Sequence, residues 1–428
     1  MNNSLYGILN FFVYLCGQLT HHRHMPKLLM IGAASNCGAT GHILEQLGLM
    51  ARGRGWDVYT IHGTRHSNPS ALTTLGQASK VNELTHAVYS LVRDGHGLGL
   101  KHFTRNIIEK IRDLKPDVIH LHNLHGYYIN YRLLFEYLST IDTPVVWTMH
   151  DFWAVTGHCV HFDFIGCDKW QHMCGDCPQC KSYPRSLVDK SQRNYLLKKR
   201  LFTSLDNLTV VPVSNWMAGV LHKSFLAKYP IEKIYNGIDT AIFKPTASDL
   251  RSRLNIGDKT VLVGVAYSWL DYKGYADYFK LREVLDDSYV IVMVGVSPKI
   301  KKNLPAGIIG IERLHDMNTM AQIYSMADAT LNLSYQETFG MTTVEAMACG
   351  TPVIVYDRTA SPELVTSDTG IVVVAGDING VALAVQTIKT TGKQRYSEAC
   401  IERVTALFDK DKCYAQYMDL YDKLLSQS

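Results

Sequence analysis

Glu337 and Glu345 stand eight positions apart in "QETFGMTTVEAMACG", residues 336–350, on either side of a turn that should open a helix. A carboxylate near a helix start is ordinarily a solvated complement to the dipole, gaining about 0.3–1 kcal/mol there. Here the flanking "TVEAMACG" is small and apolar, which puts Glu345 among buried neighbours, and a charge so placed needs specific partners. The two hydroxyls of a ribose diol would be such partners, and Glu337, nearer the strand edge, can address a sugar hydroxyl in the same way. Gly340 supplies a tight turn. The amides of Met341, Thr342 and Thr343 are then first-turn donors without intrahelical acceptors, an anion site suited to phosphate. Lys273, in "AYSWLDYKGYADYF", follows a strand and precedes Gly274 and a helix. A single lysine is by default a surface cation. At the same sheet edge as those amides it would neutralise a diphosphate, through a charge-assisted bond worth about 1.5–3 kcal/mol.

The amino-terminal half offers three further groups. Gly38, Thr40 and Gly41 lie in "AASNCGATGHILEQL", where glycines let backbone approach a ligand closely, although turns need glycine anyway. "VVWTMHDFW" ends a strand at His150-Asp151, and most strand-end histidines are simply hydrogen-bonded. Shortly after it comes "GHCVHFDFIGCDKWQHMCGDCPQCK", an insertion over 157–181 that holds five of the ten cysteines. A Cys-x2-Cys knuckle with two further thiols nearby suits tetrahedral zinc, and a run of unliganded or redox-active thiols is the alternative.

These groups need a scaffold with open strand ends. Apolar β-branched runs such as "KLLMIGAAS", "WDVYTIHG", "VIHLHNL", "TPVVWTMHD" and "LTVVPVS" alternate with segments of helical period. After "YNGIDTAIFKP" the pattern restarts with six short runs from "KTVLVGVAYS" to "GIVVVA". Parallel strands covered on both faces read this way, and two such arrays imply an α/β protein of two doubly wound domains facing across a cleft. The expected division is a 1–25 extension, a first Rossmann-like domain over 26–235, a second over 236–410 and a carboxyl-terminal helix over 411–428.

The segment "ETFGMTTVEAMACGTPVIV", with its Glu-x7-Glu spacing, resembles the signature of retaining glycosyltransferases of the GT-B fold, family 4. "YNGID", "YKG", "SPELV" and "GATGHI" match in kind and order, over about residues 26–425. The resemblance implies transfer of a sugar from a nucleotide-diphosphate donor with retained anomeric configuration. It gives Glu345 to the donor ribose, Glu337 to a donor-sugar hydroxyl, Lys273 to the diphosphate and the Met341 and Thr342 amides to the distal phosphate. His150 would contact the donor sugar near the reacting carbon, in an orienting and electrostatic role. The 38–41 loop would face the donor phosphate or acceptor, with His42 at a position that is often basic. Colanic-acid and capsule-type members carry a similar cysteine insertion, which favours Cys159, Cys167, Cys174 and Cys177 as ligands of a structural zinc. No cofactor is expected for the chemistry itself. One departure is Ser268, where many members place a cation five residues before the lysine. An epimerase on the same fold, or a non-catalytic sugar-nucleotide binder, is the competing reading.

Composition sets outer limits. With 428 residues, 46% apolar and 19% charged, the chain is a globular protein with ample core. A net charge of +4 argues against a dedicated nucleic-acid binder, yet suits an anionic substrate or a peripheral site on an anionic membrane. "LYGILNFFVYLCGQL" near the start is fifteen residues, short of the roughly 20 needed to cross a bilayer, and lacks the charge and cleavage pattern of a signal peptide. It reads as an extension or a peripheral anchor. The expected setting is a reducing, cytoplasmic one, at the inner membrane face when the acceptor is a glycan carried on lipid.

Overall fold

The computed structural model describes residues 25–63, 67–314 and 316–427; the apolar amino-terminal stretch lies outside them. Six parallel strands form each of two sheets. The first holds β1 (Lys27–Gly32), β2 (Asp57–His62), β3 (Thr73–Gln77), β4 (Val118–Leu121), β5 (Val145–Met149) and β6 (Leu208–Pro212), in the order β3-β2-β1-β4-β5-β6. The second holds β7 (Thr260–Val265), β8 (Tyr289–Val294), β9 (Ile308–Ile311), β10 (Ala329–Asn332), β11 (Val353–Tyr356) and β12 (Gly370–Val373), in the order β12-β11-β10-β7-β8-β9. Both follow the dinucleotide-fold order, with the topological switch between the first and fourth strand of each set. The inner strands are largely apolar and fully buried, as in Val145–Met149 and Tyr289–Val294, because helices cover both faces.

β3 was absent from the sequence expectation. Its residues "TTLGQ" are mostly exposed and lie at the sheet edge, so they carry little of the apolar signal that marks the other strands. The helix Lys80–Arg93 follows it, capped by Ser79, whose hydroxyl accepts from Asn82 N at 3.2 Å.

The last helix, Lys410–Leu425, returns to the first domain. Tyr414, Tyr417, Met418 and Tyr421 pack with Leu28, Met30, Ile43 and Val118. Tyr421 OH lies 2.6 Å from His120 Nδ1, and Tyr417 OH lies 3.0 Å from Thr148 Oγ1. Where the inter-domain segment meets the start of this helix, Ile238 N donates to Phe408 O at 2.7 Å. A Cβ on Gly237 would come within 2.4 Å of Lys410 Cα, so the close approach admits only glycine there.

Candidate functional site

Residues after β1, β7 and β8 line one cavity of about 510 Å³ between the two sheets. Gly38, His42 and Ile43 come from the first domain, Ala266, Gly295, Arg313, Met341 and Glu345 from the second. Gly340 sits at φ +110°, and the helix Met341–Ala348 starts directly after it. The first backbone bonds of that turn are donated by Thr343 N and Val344 N to Gly340 O, leaving the amides of Met341 and Thr342 ahead of the ladder. Met341 and Glu345, one turn apart, share the cavity wall. Thr40 is half-buried in the first turn of the helix Gly38–Gly53, and Gly41 is buried, its Cα turned so that a Cβ would sit 3.3 Å from Ala34 Cβ.

Glu345 is no solvated dipole partner. Its Oε2 accepts from Tyr324 OH at 2.8 Å, and burial raises its pKa from an ordinary 4.5 to about 7, against the opposing pull of that hydrogen bond. Tyr324, on the helix Met317–Met326, was not legible as a site residue in the sequence, since nothing ties it to Glu345 before the chain folds.

Beyond the turn the chain makes a second, more highly charged corner. Lys273, closing a short 3-10 turn Asp271–Lys273, places Nζ 2.7 Å from Glu337 Oε1, with both side chains mostly buried. Glu337 N donates to Thr359 Oγ1 at 2.8 Å, and Thr338 Oγ1 donates to His150 O at 2.9 Å, so this corner meets the end of β5 across the cleft. His150 Nε2 lies 3.1 Å from His122 Nδ1, with the two rings stacked at 12°. Burial lowers His150 to about 4, only partly countered by Asp151. It is therefore neutral at pH 7, and any action on a donor sugar would be through hydrogen bonding and the ring dipole.

Asp151 organises the floor beneath. Its Oδ2 takes His125 Nε2 at 2.5 Å and Asn123 Nδ2 at 2.7 Å, and its Oδ1 takes Trp153 N at 2.8 Å. Burial alone would raise its pKa, but His125 and these donors outweigh it and hold the carboxyl at about 2. The alternating histidines of "VIHLHNLH" were the available signal for this group: residues two apart on a strand share a face, and the His120 and His122 rings lie 4.2 Å apart, tilted by 33°.

The structure lends no support to the expected zinc site. Cys159, Cys167, Cys174 and Cys177 do line one small cavity, with His158 and Trp170. Among the described residues, however, no group of three or more His, Cys, Asp or Glu is arranged to hold a metal ion. The thiols have protein partners instead. Gly157 N donates to Cys174 Sγ at 3.2 Å. Cys159 and Cys177 hydrogen-bond to each other; the bond and burial together push Cys159 up, while the same bond draws Cys177 down to about 6 against the opposing effect of burial. All nine described cysteines are free.

Ser268 is exposed and brings no cation. Arg313 stands next to that position: its Nη2 donates to Tyr267 O at 2.8 Å, its guanidinium lies 3.6 Å over the Tyr267 ring, and it lines the large cavity. Lys410 also lines it, paired with Asp239 at 2.6 Å.

Two family models match, Glycosyltransferase Family 4 over residues 38–242 and Glycosyl transferases group 1 over residues 250–404. A protein provisionally named colanic acid biosynthesis glycosyl transferase WcaC, from Escherichia coli K12, is 26% identical over 60% of this chain and 64% of its own length. A GDP-mannose-dependent alpha-(1-6)-phosphatidylinositol dimannoside mannosyltransferase of Mycobacterium tuberculosis is 27% identical over 42% of this chain. The aligned chain thus spans about two thirds of the first relative and 49% of the second. Among solved structures, Anabaena Alr3699/HepE in complex with UDP-glucose superposes with a TM-score of 0.64 at 16% identity, over 94% of this chain and 100% of its own, a likeness of fold. Two sheets of the dinucleotide-fold order, a glutamate-flanked helix start between them and both domain matches lead to one assignment: this chain belongs to the GT-B glycosyltransferases, with a family 4 domain followed by a group 1 domain.

Proposed function

We propose that the protein transfers a sugar, with retained anomeric configuration, from a nucleoside-diphosphate donor to a glycan or lipid-linked acceptor in surface polysaccharide synthesis. The observation that carries this reading is the continuity of the large cavity wall with the charged corner: one helix start presents Met341 and Glu345 to the cavity, while the residues just before it bring Glu337 to Lys273. In this reading the nucleoside fills the cavity, its ribose hydroxyls on Glu345. The diphosphate lies over the Met341 and Thr342 amides and reaches Lys273, whose ammonium has three protons to share between phosphate and Glu337. Arg313 takes the place of the cation that Ser268 lacks. The sugar then lies toward Glu337 and His150.

As the glycosidic bond breaks, negative charge grows on the leaving phosphate, and fixed donors stabilise it more in the transition state than in the ground state. The acceptor hydroxyl attacks from the same face and its proton passes to the departing phosphate. The carriers of charge are side chains and amides of the chain itself, so the reading assigns no catalytic step to a cofactor. UDP and GDP donors are the natural candidates, since one structural neighbour binds UDP-glucose and one relative depends on GDP-mannose.

An acceptor at a membrane face is supported by the helix Lys80–Arg93. Val81, Leu84, Val88 and Val92 form an exposed stripe at three- and four-residue spacing, with Val81 at 70% and Leu84 at 66% exposure. Leu187 extends it, its amide bonded to Leu91 O at 2.7 Å. Lys80 and Arg93 at the ends of the helix, and Arg185 and Lys190 close to Leu187 in the chain, are exposed, and the one acid of the helix, Glu83, is buried. Apolar residues within a cationic rim suit an anionic lipid surface. No helix among the described residues is long and apolar enough to cross a membrane.

The test is donor turnover on a panel that includes UDP-glucose and GDP-mannose, with and without lipid-linked glycan extracts. Acceptor-dependent release of nucleoside diphosphate is expected. A new sugar nucleotide formed without acceptor would establish epimerisation instead, and tight binding with no turnover a sensor.

A further inference from the structure

The cysteine-bearing insertion belongs in sequence to the first domain, yet residues 161–164 touch the second. The His161 ring lies 5.3 Å from that of Tyr272, Phe164 N donates to Gln336 Oε1 at 2.9 Å, and Arg358 Nη2 pairs with Asp163 Oδ2 at 3.0 Å. Tyr272 and Gln336 immediately precede Lys273 and Glu337. Those two segments are themselves joined, since Tyr335 N donates to Tyr272 O at 2.8 Å. The insertion therefore grips the second domain at the residues that set the charged corner.

On its own side the insertion is firmly held. His158 Nδ1 lies 2.6 Å from Asp94 Oδ1 in a buried pair, the Phe162 and Trp170 rings stack at 4.8 Å, and Gln179 donates to His161 O. The packed thiols of Cys159 and Cys174 belong to the same core.

Four buried polar side-chain atoms of this junction have no hydrogen-bond partner among the described residues: His122 Nε2, Asn123 Oδ1, His161 Nδ1 and Gln336 Nε2. They come from both domains, and their residues flank His150, Asp151, Lys273 and Glu337 through the contacts already given. Buried polar groups are normally satisfied, and beside a cleft a bound water or a polar ligand can supply the partner that these four lack. The surroundings also keep His161 neutral: burial lowers its pKa first, while the charges of Asp151 and Lys273 act in opposite directions. A neutral imidazole can give or take a hydrogen bond with a hydroxyl.

We propose that residues 157–181 form a strap across the sugar end of the cleft, and that His161, with Gln336 opposite, is a subsite for a hydroxyl of the donor's hexosyl group. The proposal rests on the sugar-transfer reading above. It gives the insertion a function in selecting the donor sugar and in keeping water from the reacting carbon, with the Asp163–Arg358 pair as the fastening.

The test compares native protein with His161→Ala, His161→Asn and Asp163→Ala, and with the charge-exchanged pair Asp163→Arg with Arg358→Asp. UDP and GDP binding is measured by calorimetry, and kcat and KM are measured with whichever of UDP-glucose and GDP-mannose turns over. His161→Ala should leave nucleoside-diphosphate affinity within about twofold of native and lower kcat/KM for the sugar nucleotide about tenfold, the scale of one lost hydrogen bond. His161→Asn should recover part of the loss. Asp163→Ala should raise the fraction of donor lost to water, and the exchanged pair should restore it. An unchanged kcat/KM in His161→Ala, or an equal loss of UDP or GDP binding, would overturn the subsite. Failure of native protein to bind either nucleotide would instead refute the transfer reading, and the subsite with it.

Discussion

On the proposed reading Glu345 couples nucleotide binding to proton release, and the size of the coupling follows from its surroundings. Burial in the wall beside Tyr324 places its pKa at about 7 instead of 4.5, so in neutral solution it is close to half protonated. Two ribose hydroxyls donating to the carboxylate stabilise the charged form and pull the pKa back down. If they restore the ordinary value, the affinity for a nucleoside diphosphate rises as pH increases through the window between 4.5 and about 7, and levels off above it. At 1.36 kcal/mol per pH unit the full span is about 3 kcal/mol, a change of roughly 300-fold in Kd. The terminal phosphate ionises near pH 6 and adds its own dependence, so the informative quantity is the difference between native protein and Glu345→Gln, which keeps the shape and loses the titration.

Calorimetry with UDP and GDP from pH 5 to 8.5, in buffers of different ionisation enthalpy, gives both the affinity and the protons released. Native protein should release a proton near pH 6 that the variant does not. The sign for stability is opposite. A carboxyl whose pKa is raised on folding favours the folded state while protonated, and that contribution is lost as pH rises from 4.5 to about 7. Glu345→Gln should therefore bind nucleotide more weakly yet unfold at a higher temperature than native protein at pH 8, with the stability difference vanishing near pH 4. Parallel pH profiles for the two proteins, in affinity and in stability, would refute the placement of this carboxylate in a buried nucleotide wall.

Other consequences can be checked alongside. Lys273→Ala removes a charge-assisted bond to the leaving diphosphate and should lower kcat by about 10- to 150-fold with circular dichroism unchanged; near-native turnover would remove Lys273 from the mechanism. Burial depresses His120 to about 3 and His86 and His150 to about 4, so each contributes stability that is complete above pH 6.5 and lost as pH falls toward 3–4. The unfolding temperature should accordingly drop steeply below pH 6.5, and a flat profile down to pH 4.5 would contradict these burials. Leu84→Glu with Val88→Glu should abolish co-sedimentation with phosphatidylglycerol vesicles while leaving nucleotide affinity unchanged, and binding by native protein should weaken with salt. Equal sedimentation of native protein and double variant would remove lipid as the occupant of that face.

What the sequence discloses and what it conceals divide by the distance over which the information acts. Glu345 was legible because its apolar neighbours are adjacent in the chain, and a carboxylate set among "TVEAMACG" needs a partner whatever the rest of the protein does. The sheets were legible because continuous β-branched runs have few alternatives to a covered parallel strand; β3 was not, being a polar edge strand that pairs only with β2. The Lys273–Glu337 pair joins residues 64 apart, and the contacts of the insertion with Gln336 and Arg358 join residues 172 and 195 apart, so no local pattern encodes either. The cysteines pose the opposite problem. Their spacing is compatible with a tetrahedral ligand set, but spacing does not say where each Sγ points; in the folded chain the four line one cavity, with Cys174 accepting from a backbone amide and Cys159 bonded to Cys177. The same rigid packing that engages these thiols holds residues 161–164 against the second domain. On the proposed reading a cysteine cluster of this kind acts on chemistry at a distance, by fixing a loop whose outer residues meet the sugar end of the cleft, and its influence on the reaction depends on how stiffly the strap is held.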